Sequence, residues 1–106
     1  MLHQTVDLRS LELHKAIAQK LRGQPSLLQT ARNNVSRWLA RDSSSPYDPV
    51  SEWNEILTRW SFDDILALLE SEDEEAARLR QSSPFPGVLN ESERLAILRK
   101  YEPFRI

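Results

Sequence analysis

Two histidines, His3 and His14, are the only side chains in this sequence able to serve as an imidazole base or ligand. A metal or acid–base site needs groups converging from fixed positions, and neither histidine belongs to a His-Glu-x-x-His or His-x3-His spacing. His14 therefore reads as a packing residue within a helix, and His3 as part of a frayed terminus. The neighbouring carboxylates Asp63 and Asp64 cannot share a proton as a dyad, because successive helical residues diverge by about 100°. The run Glu72-Asp73-Glu74-Glu75 lacks the glycine turn and alternating oxygen ligands of a calcium loop. With no cysteine, thiol nucleophiles, thiolate zinc sites and disulfides are excluded, and the two isolated glycines, Gly23 and Gly87, make no phosphate-cradling loop. No nucleophile–base pair stands out. The expectation is a non-enzymatic protein with no catalytic residue, metal or cofactor.

Binding is better represented. Residues 8–41 carry seven basic side chains against Glu12, whereas residues 42–75 carry eleven acidic ones against Arg59, so a net charge of −2 conceals a strong segregation along the chain. Helix caps explain part of the acidic excess, since first turns favour carboxylates, and a solvated face is the plain reading of the rest. As a working surface, the acidic third offers Asp63, Asp64, Glu70 and Glu74 to a partner of opposite charge. In the basic third, Ala31-Arg32-Asn33-Asn34-Val35-Ser36-Arg37-Trp38 looks like the recognition helix of a helix-turn-helix repressor, with Arg32, Arg37 and Arg41 as candidate nucleic-acid contacts. Spacing opposes it, because about a dozen helical residues precede Val35 where a short turn is required. The alternative puts Val35, Trp38 and Leu39 in the core and leaves the arginines as a solvated face. Finally, Pro84 and Pro86 bracket Phe85 on a stiffened turn next to Arg80. That element is either an interhelical elbow with Phe85 in the core or a rigid aromatic anchor, with Arg80 beside it, for a partner to grip.

The elements that must hold these residues are helical. The chain has 106 residues, 40% hydrophobic and 28% charged, enough for one domain with a modest core. Apolar spacings of three and four recur throughout, and strict alternation is absent. A first helix is expected from about Leu8 to Arg22, with Asp7 as N-cap and Gly23 as a left-handed C-terminal residue. A second starts at Pro25 and carries Leu28, Ala31, Val35 and Trp38. Residues 42–48 read as a loop. Pro49 opens a third helix presenting Trp53, Ile56, Leu57 and Trp60 on one face, and Ser61 caps a fourth that ends near Glu70. Ser71 with Glu74 reads as a capping box for a fifth helix reaching Gln81, and Asn90 with Glu93 as another for a sixth that continues to Tyr101 before Pro103. The fold class is thus all-α, a single bundle-like domain of about six short helices over residues 1–106, with Trp38 and Trp53 buried. No apolar run approaches the roughly 18 residues of a membrane span, and Met1-Leu2-His3-Gln4 shows neither the basic region nor the apolar stretch of a secretory leader, so a cytoplasmic location is expected.

Arg9-Ser10-Leu11-Glu12-Leu13-His14-Lys15-Ala16-Ile17-Ala18, Ala31-Arg32-Asn33 leading to Arg37-Trp38, Glu52-Trp53, Leu79-Arg80-Gln81-Ser82-Ser83-Pro84-Phe85 and Glu93-Arg94 together resemble a family of short bacterial proteins encoded in toxin–antitoxin-like gene pairs. The resemblance implies an antitoxin or accessory protein whose partner is a cognate toxin, such as a nucleotidyltransferase or nuclease. It brings no catalytic residues with it. A small DNA-binding regulator using the basic first two helices is the competing expectation.

Overall fold

The recurring three-and-four spacing resolves into six α-helices, and no strand occurs among the described residues. The computed structural model describes the backbone of residues 4–41 and 48–104 and the side chains of residues 8–41 and 48–101. In chain order the helices are α1 (Gln4–Gly23), α2 (Leu28–Arg41), α3 (Pro49–Arg59), α4 (Phe62–Glu70), α5 (Glu74–Arg80) and α6 (Glu91–Leu98). Short 3-10 turns cover Pro25–Leu27 and Arg99–Phe104. They form one all-α domain in which α1 lies against α4, α5 and α6, while α2 pairs with α3. His3 and most of the expected 42–48 loop lie outside the described residues.

Caps set most of the helix starts. Asp48 accepts from the Val50 N–H at 2.7 Å with Pro49 behind it, Ser61 from Asp64 at 3.1 Å, and Asp73 from Ala76 at 2.8 Å. Asn90 and Glu93 close a reciprocal capping box on α6, each satisfying the other's backbone N–H. Several boundaries differ from expectation. α1 begins at Gln4, so Asp7 lies within its first turn instead of capping it. Gly23 is the last helical residue of α1 and does not take a positive φ. The Gln24 N–H reaches back to Lys20 and Leu21 carbonyls and ends the helix without a left-handed residue. Pro25 starts a 3-10 turn, and α2 proper begins at Leu28. The cap of α5 is Asp73, two residues beyond Ser71, because an Asp–Ala76 bond is available and Ser71 instead accepts from the Asp73 N–H. α6 tightens to a 3-10 turn at Arg99, so the turn, not an α-helix, carries Tyr101.

The core joins Ile17, Ala18 and Leu21 of α1 to Ala31 and Val35 of α2, to Trp53 and Ile56 of α3, and to Ile65 and Leu69 of α4. Only one tryptophan is central. Trp53 is fully buried and its indole N–H donates to the Leu79 carbonyl at 2.9 Å; Trp38 is half-buried, and Trp60 lies past the end of α3 with 43% of its surface exposed. Trp60 leaves the apolar face because it is the C-cap, with extended backbone (ψ 150°), so the helical spacing that would carry it inward stops one residue earlier.

The elbow of residues 81–90 turns Pro84, Phe85 and Val88 inward and leaves Pro86 and Gly87 exposed. Phe85 is 1% exposed and meets the Trp53 ring edge to face at 5.5 Å. The Pro84 carbonyl beside it is buried and needs a donor, since a buried acceptor without one costs about 1–3 kcal/mol, and the Pro86 carbonyl is partly covered. Asn34 supplies both hydrogens, donating through Nδ2 to Pro84 O at 2.9 Å and Pro86 O at 3.0 Å, while Arg37 donates to the Asn34 side-chain oxygen. The turn then needs Gly87, whose φ of +98° is open chiefly to glycine and whose added Cβ would meet Thr30 Cγ2 at 3.3 Å.

Two glycine substitutions should move stability in opposite directions in urea unfolding. Gly23→Ala enters open space at a helical φ and should gain about 0.5–1 kcal/mol. Gly87→Ala should lose about 1–2 kcal/mol through the left-handed backbone alone. Asn34→Ala strips a buried and a part-buried carbonyl of their donor and should cost about 1–3 kcal/mol; an unchanged midpoint would show that the elbow is not held this way.

Candidate functional site

Among the described residues, two of the concave places bear most on function. The first is a cleft of about 420 Å³ between α1, the elbow and α6, lined by Leu13, Ile17, Phe85 and Leu89, with Arg94 at its mouth. His14 and Ser83 also line it. α1 places His14 one turn after Ser10, so Nδ1–H donates to the Ser10 carbonyl at 2.7 Å. A carbonyl can only accept, which puts the proton on Nδ1 and leaves Nε2 to accept from the Ser83 hydroxyl at 2.8 Å. This is a hydroxyl–imidazole–orienting-acceptor chain between residues 69 positions apart, a pairing that the sequence reading, which found no nucleophile–base pair, did not contain.

The electrostatics oppose a base at this position. His14 is 5% exposed, and burial pushes its pKa down to about 4; the Ser10 bond raises it, and the nearby Arg80 guanidinium lowers it further. General-base catalysis would have to create an imidazolium there, next to a buried cation, far from the near-neutral pKa such a role favours. The Phe85 N–H also donates to the Ser83 oxygen at 3.3 Å, and the phenyl ring of Phe85 meets the imidazole edge-on at 6.2 Å. The pair thus pins the elbow to α1 as a neutral staple.

The second place surrounds Trp60. It borders three shallow depressions: one of about 550 Å³ with Asp64, Leu68 and Asp73, one of about 360 Å³ with Glu52 and Glu75, and one of about 460 Å³ with Arg32 and Phe62. Most acidic residues elsewhere are paired. Arg22 forks onto Glu70 with two 2.7 Å bonds, Arg78 bridges Glu52 and Glu75, Lys20 meets Glu93 at 2.6 Å, Lys100 meets Glu12, and Arg59 approaches Glu55 at 3.5 Å. Asp63, Asp64, Glu72, Asp73 and Glu74 form no ion pair among the described residues.

The sequence-derived site residues are therefore dispersed. Asp63 and Asp64 are both exposed at the start of α4, but Asp64 turns to the Trp60 depression while Asp63 helps raise the pKa of Arg22 beside Glu70. Glu70 is half-buried and neutralised by Arg22, whose guanidinium holds its carboxyl below the ordinary value, so it adds no free charge to an acidic face. Glu74 is exposed in the first turn of α5. Arg80 is 5% exposed and donates to the Ser71 carbonyl at 2.6 Å, and Phe85 is in the core, so neither is accessible to a partner as an anchor and the elbow alternative describes them. Arg32 donates to the Leu57 carbonyl at the end of α3, Arg37 to Asn34, and Arg41 is exposed. Nine residues apart, Arg32 and Arg41 lie about 180° round the helix and cannot line one groove together.

Sequence reasoning missed Ser83, Asn34 and Trp60. For Trp60 a signal was present, since Ser61 reads as an N-cap and forces the preceding helix to end just at the tryptophan. No group of three or more potential metal ligands occurs among the described residues, and no helix there is long and apolar enough to cross a membrane. No protein-family model, curated protein or solved structure matches this chain.

The staple carries a pH signature. Unfolded, His14 titrates near 6.5; folded, near 4, so between these values the unfolded chain binds the extra proton and stability falls as pH is lowered. The slope should approach 1.4 kcal/mol per pH unit, about 3 kcal/mol over the full window. Carboxylates with lowered pKa, such as Glu70 and Glu93, stabilise above about 4.5 and lose that contribution only below it, which leaves pH 6.5 to 5 to the histidine. Urea melts across that range should show the decline in the original chain and a flat profile in His14→Gln, whose amide can still bridge Ser10 and Ser83.

Proposed function

We propose that this chain is a non-enzymatic interaction module that presents the Trp60 face to a protein partner with a basic surface. The observation that carries this reading is an exposed tryptophan bordered by Asp64 and Asp73, two carboxylates without ion-pair partners among the described residues. A large aromatic costs solvation when left at a surface, and Trp is among the residues most enriched where protein partners grip one another. The adjacent charge selects a cationic surface and speeds its approach. In the toxin–antitoxin-like setting that the sequence resemblance implies, the partner is a cytoplasmic toxin whose nucleotide- or RNA-handling site is basic, and this chain neutralises it by covering that site. The dispersal of Arg32, Arg37 and Arg41 supports this reading over that of a DNA-binding regulator.

Co-purification with the product of the adjacent gene tests the proposal. Trp60→Ala should weaken the complex mainly through faster dissociation, by tenfold or more for an anchor worth about 2 kcal/mol. Replacing Asp64, Glu72 and Glu74 with lysine should slow association by about an order of magnitude and invert its salt dependence, with helical content retained. A triply reversed chain that associates as fast as the original would remove the acidic face from the interaction.

A further inference from the structure

Within the Trp60 face, one depression has a more specific chemistry than an acidic surface. Trp60 forms one wall, Asp64 and Asp73 supply carboxylates, and Ala67 and Leu68 make an apolar lining. Asp73 is preoriented: as the cap of α5 it accepts from the Ala76 N–H at 2.8 Å, and this bond with that from Ser71 holds its carboxyl below the ordinary value, so it stays ionised. Asp64 uses its backbone N–H on Ser61 and leaves its exposed carboxylate without an ion-pair partner among the described residues. One cation, Arg59, also borders the depression; it is 76% exposed and directed to Glu55. The neighbouring Glu52 and Glu75 are occupied by Arg78.

We infer that this depression receives an arginine side chain of the partner, with its guanidinium plane against the Trp60 indole, its N–H groups on Asp64 and Asp73, and its methylene stem on Ala67 and Leu68. The inference rests on the Trp60 face being the partner surface. An indole offers its negative quadrupole to any cation, but only a planar, weakly hydrated guanidinium both stacks on it and presents several donors edge-on to two carboxylates. An ammonium is a compact, strongly hydrated point charge and gains less from the wall. Leu68 lines both this depression and the adjoining one with Glu52 and Glu75, so the stem would continue along apolar surface to the rest of the partner.

The test uses the full chain, ¹⁵N-labelled, titrated with a short glycine-spaced peptide carrying two arginines, and with its lysine and citrulline counterparts. The Trp60 indole N–H resonance, assigned by its disappearance in Trp60→Phe, is the readout, and the Trp53 indole resonance, locked on the Leu79 carbonyl, reports an intact fold. Expected is a saturable Trp60 shift with the arginine peptide, about threefold tighter than with lysine and absent with neutral citrulline, the weight of a cation–π contact at an exposed site. Asp64→Asn should weaken it by a similar factor, with the Trp53 resonance unmoved. Equal response to arginine and lysine, a response to citrulline, or no saturable Trp60 shift overturns the guanidinium site. If the partner complex is nonetheless lost in Trp60→Ala, the face stands and only the arginine receptor falls; if the complex survives Trp60→Ala, the face itself falls.

Discussion

A half-buried turn with two proline carbonyls and a phenyl ring is the constraint around which this small domain is built. Phe85 supplies the apolar gain, but its burial carries the Pro84 carbonyl inward and partly covers that of Pro86, and prolines have no N–H with which to organise their own turn. Donors must come from elsewhere. Asn34 of α2 meets both carbonyls, His14 of α1 holds Ser83 just before them, and Trp53 of α3 packs on the ring while bonding Leu79 in the last turn of α5. Three helices distant in sequence are thereby oriented by one segment that is itself neither helix nor strand.

That arrangement explains how the polar residues at the centre are used. His14, Ser83 and Asn34 are of types that do catalysis or recognition in other settings, yet their hydrogen bonds are spent between the elbow and helices α1 and α2, on Ser83, Pro84 and Pro86 on one side and on Ser10 and Arg37 on the other. Burial and Arg80 disfavour the charged imidazole, so His14 stabilises by remaining neutral. Chemistry with free valence is displaced to the periphery.

At the periphery, ion pairs close the domain along its edges. Lys20–Glu93 and Lys100–Glu12 attach α6, which buries no residue deeply, and the following turn to α1, while Arg22–Glu70 ties α1 to α4. Such exposed pairs are worth little individually, but they consume the acids near them. The turn from α3 to α4 and the link from α4 to α5 have fewer bases at hand, and there Trp60 and the unpaired aspartates remain together. Function, in the reading advanced above, occupies the part of the surface that folding did not neutralise.

Much of this was legible in the residues. Periodicity of three and four identified the helical class, and short polar residues followed by acidic first turns located caps at Ser61 and Asn90, because capping is a contact between residues two or three apart. The charge segregation was equally visible, as was the alternative that Phe85 plugs the core. Other features depended on which distant groups meet. Glu70 looked like a free surface charge until Arg22, 48 residues earlier, was placed on it, and Ser83 had no partner in sequence until α1 brought His14 from 69 residues away. Asn34 looked like one polar residue on a basic helix, yet its two amide hydrogens answer carbonyls 50 and 52 positions on. Local sequence determines backbone hydrogen bonding within a turn or two; which side chains are spent and which stay available is decided only when the elements pack, since burial and pairing are properties of neighbours in space.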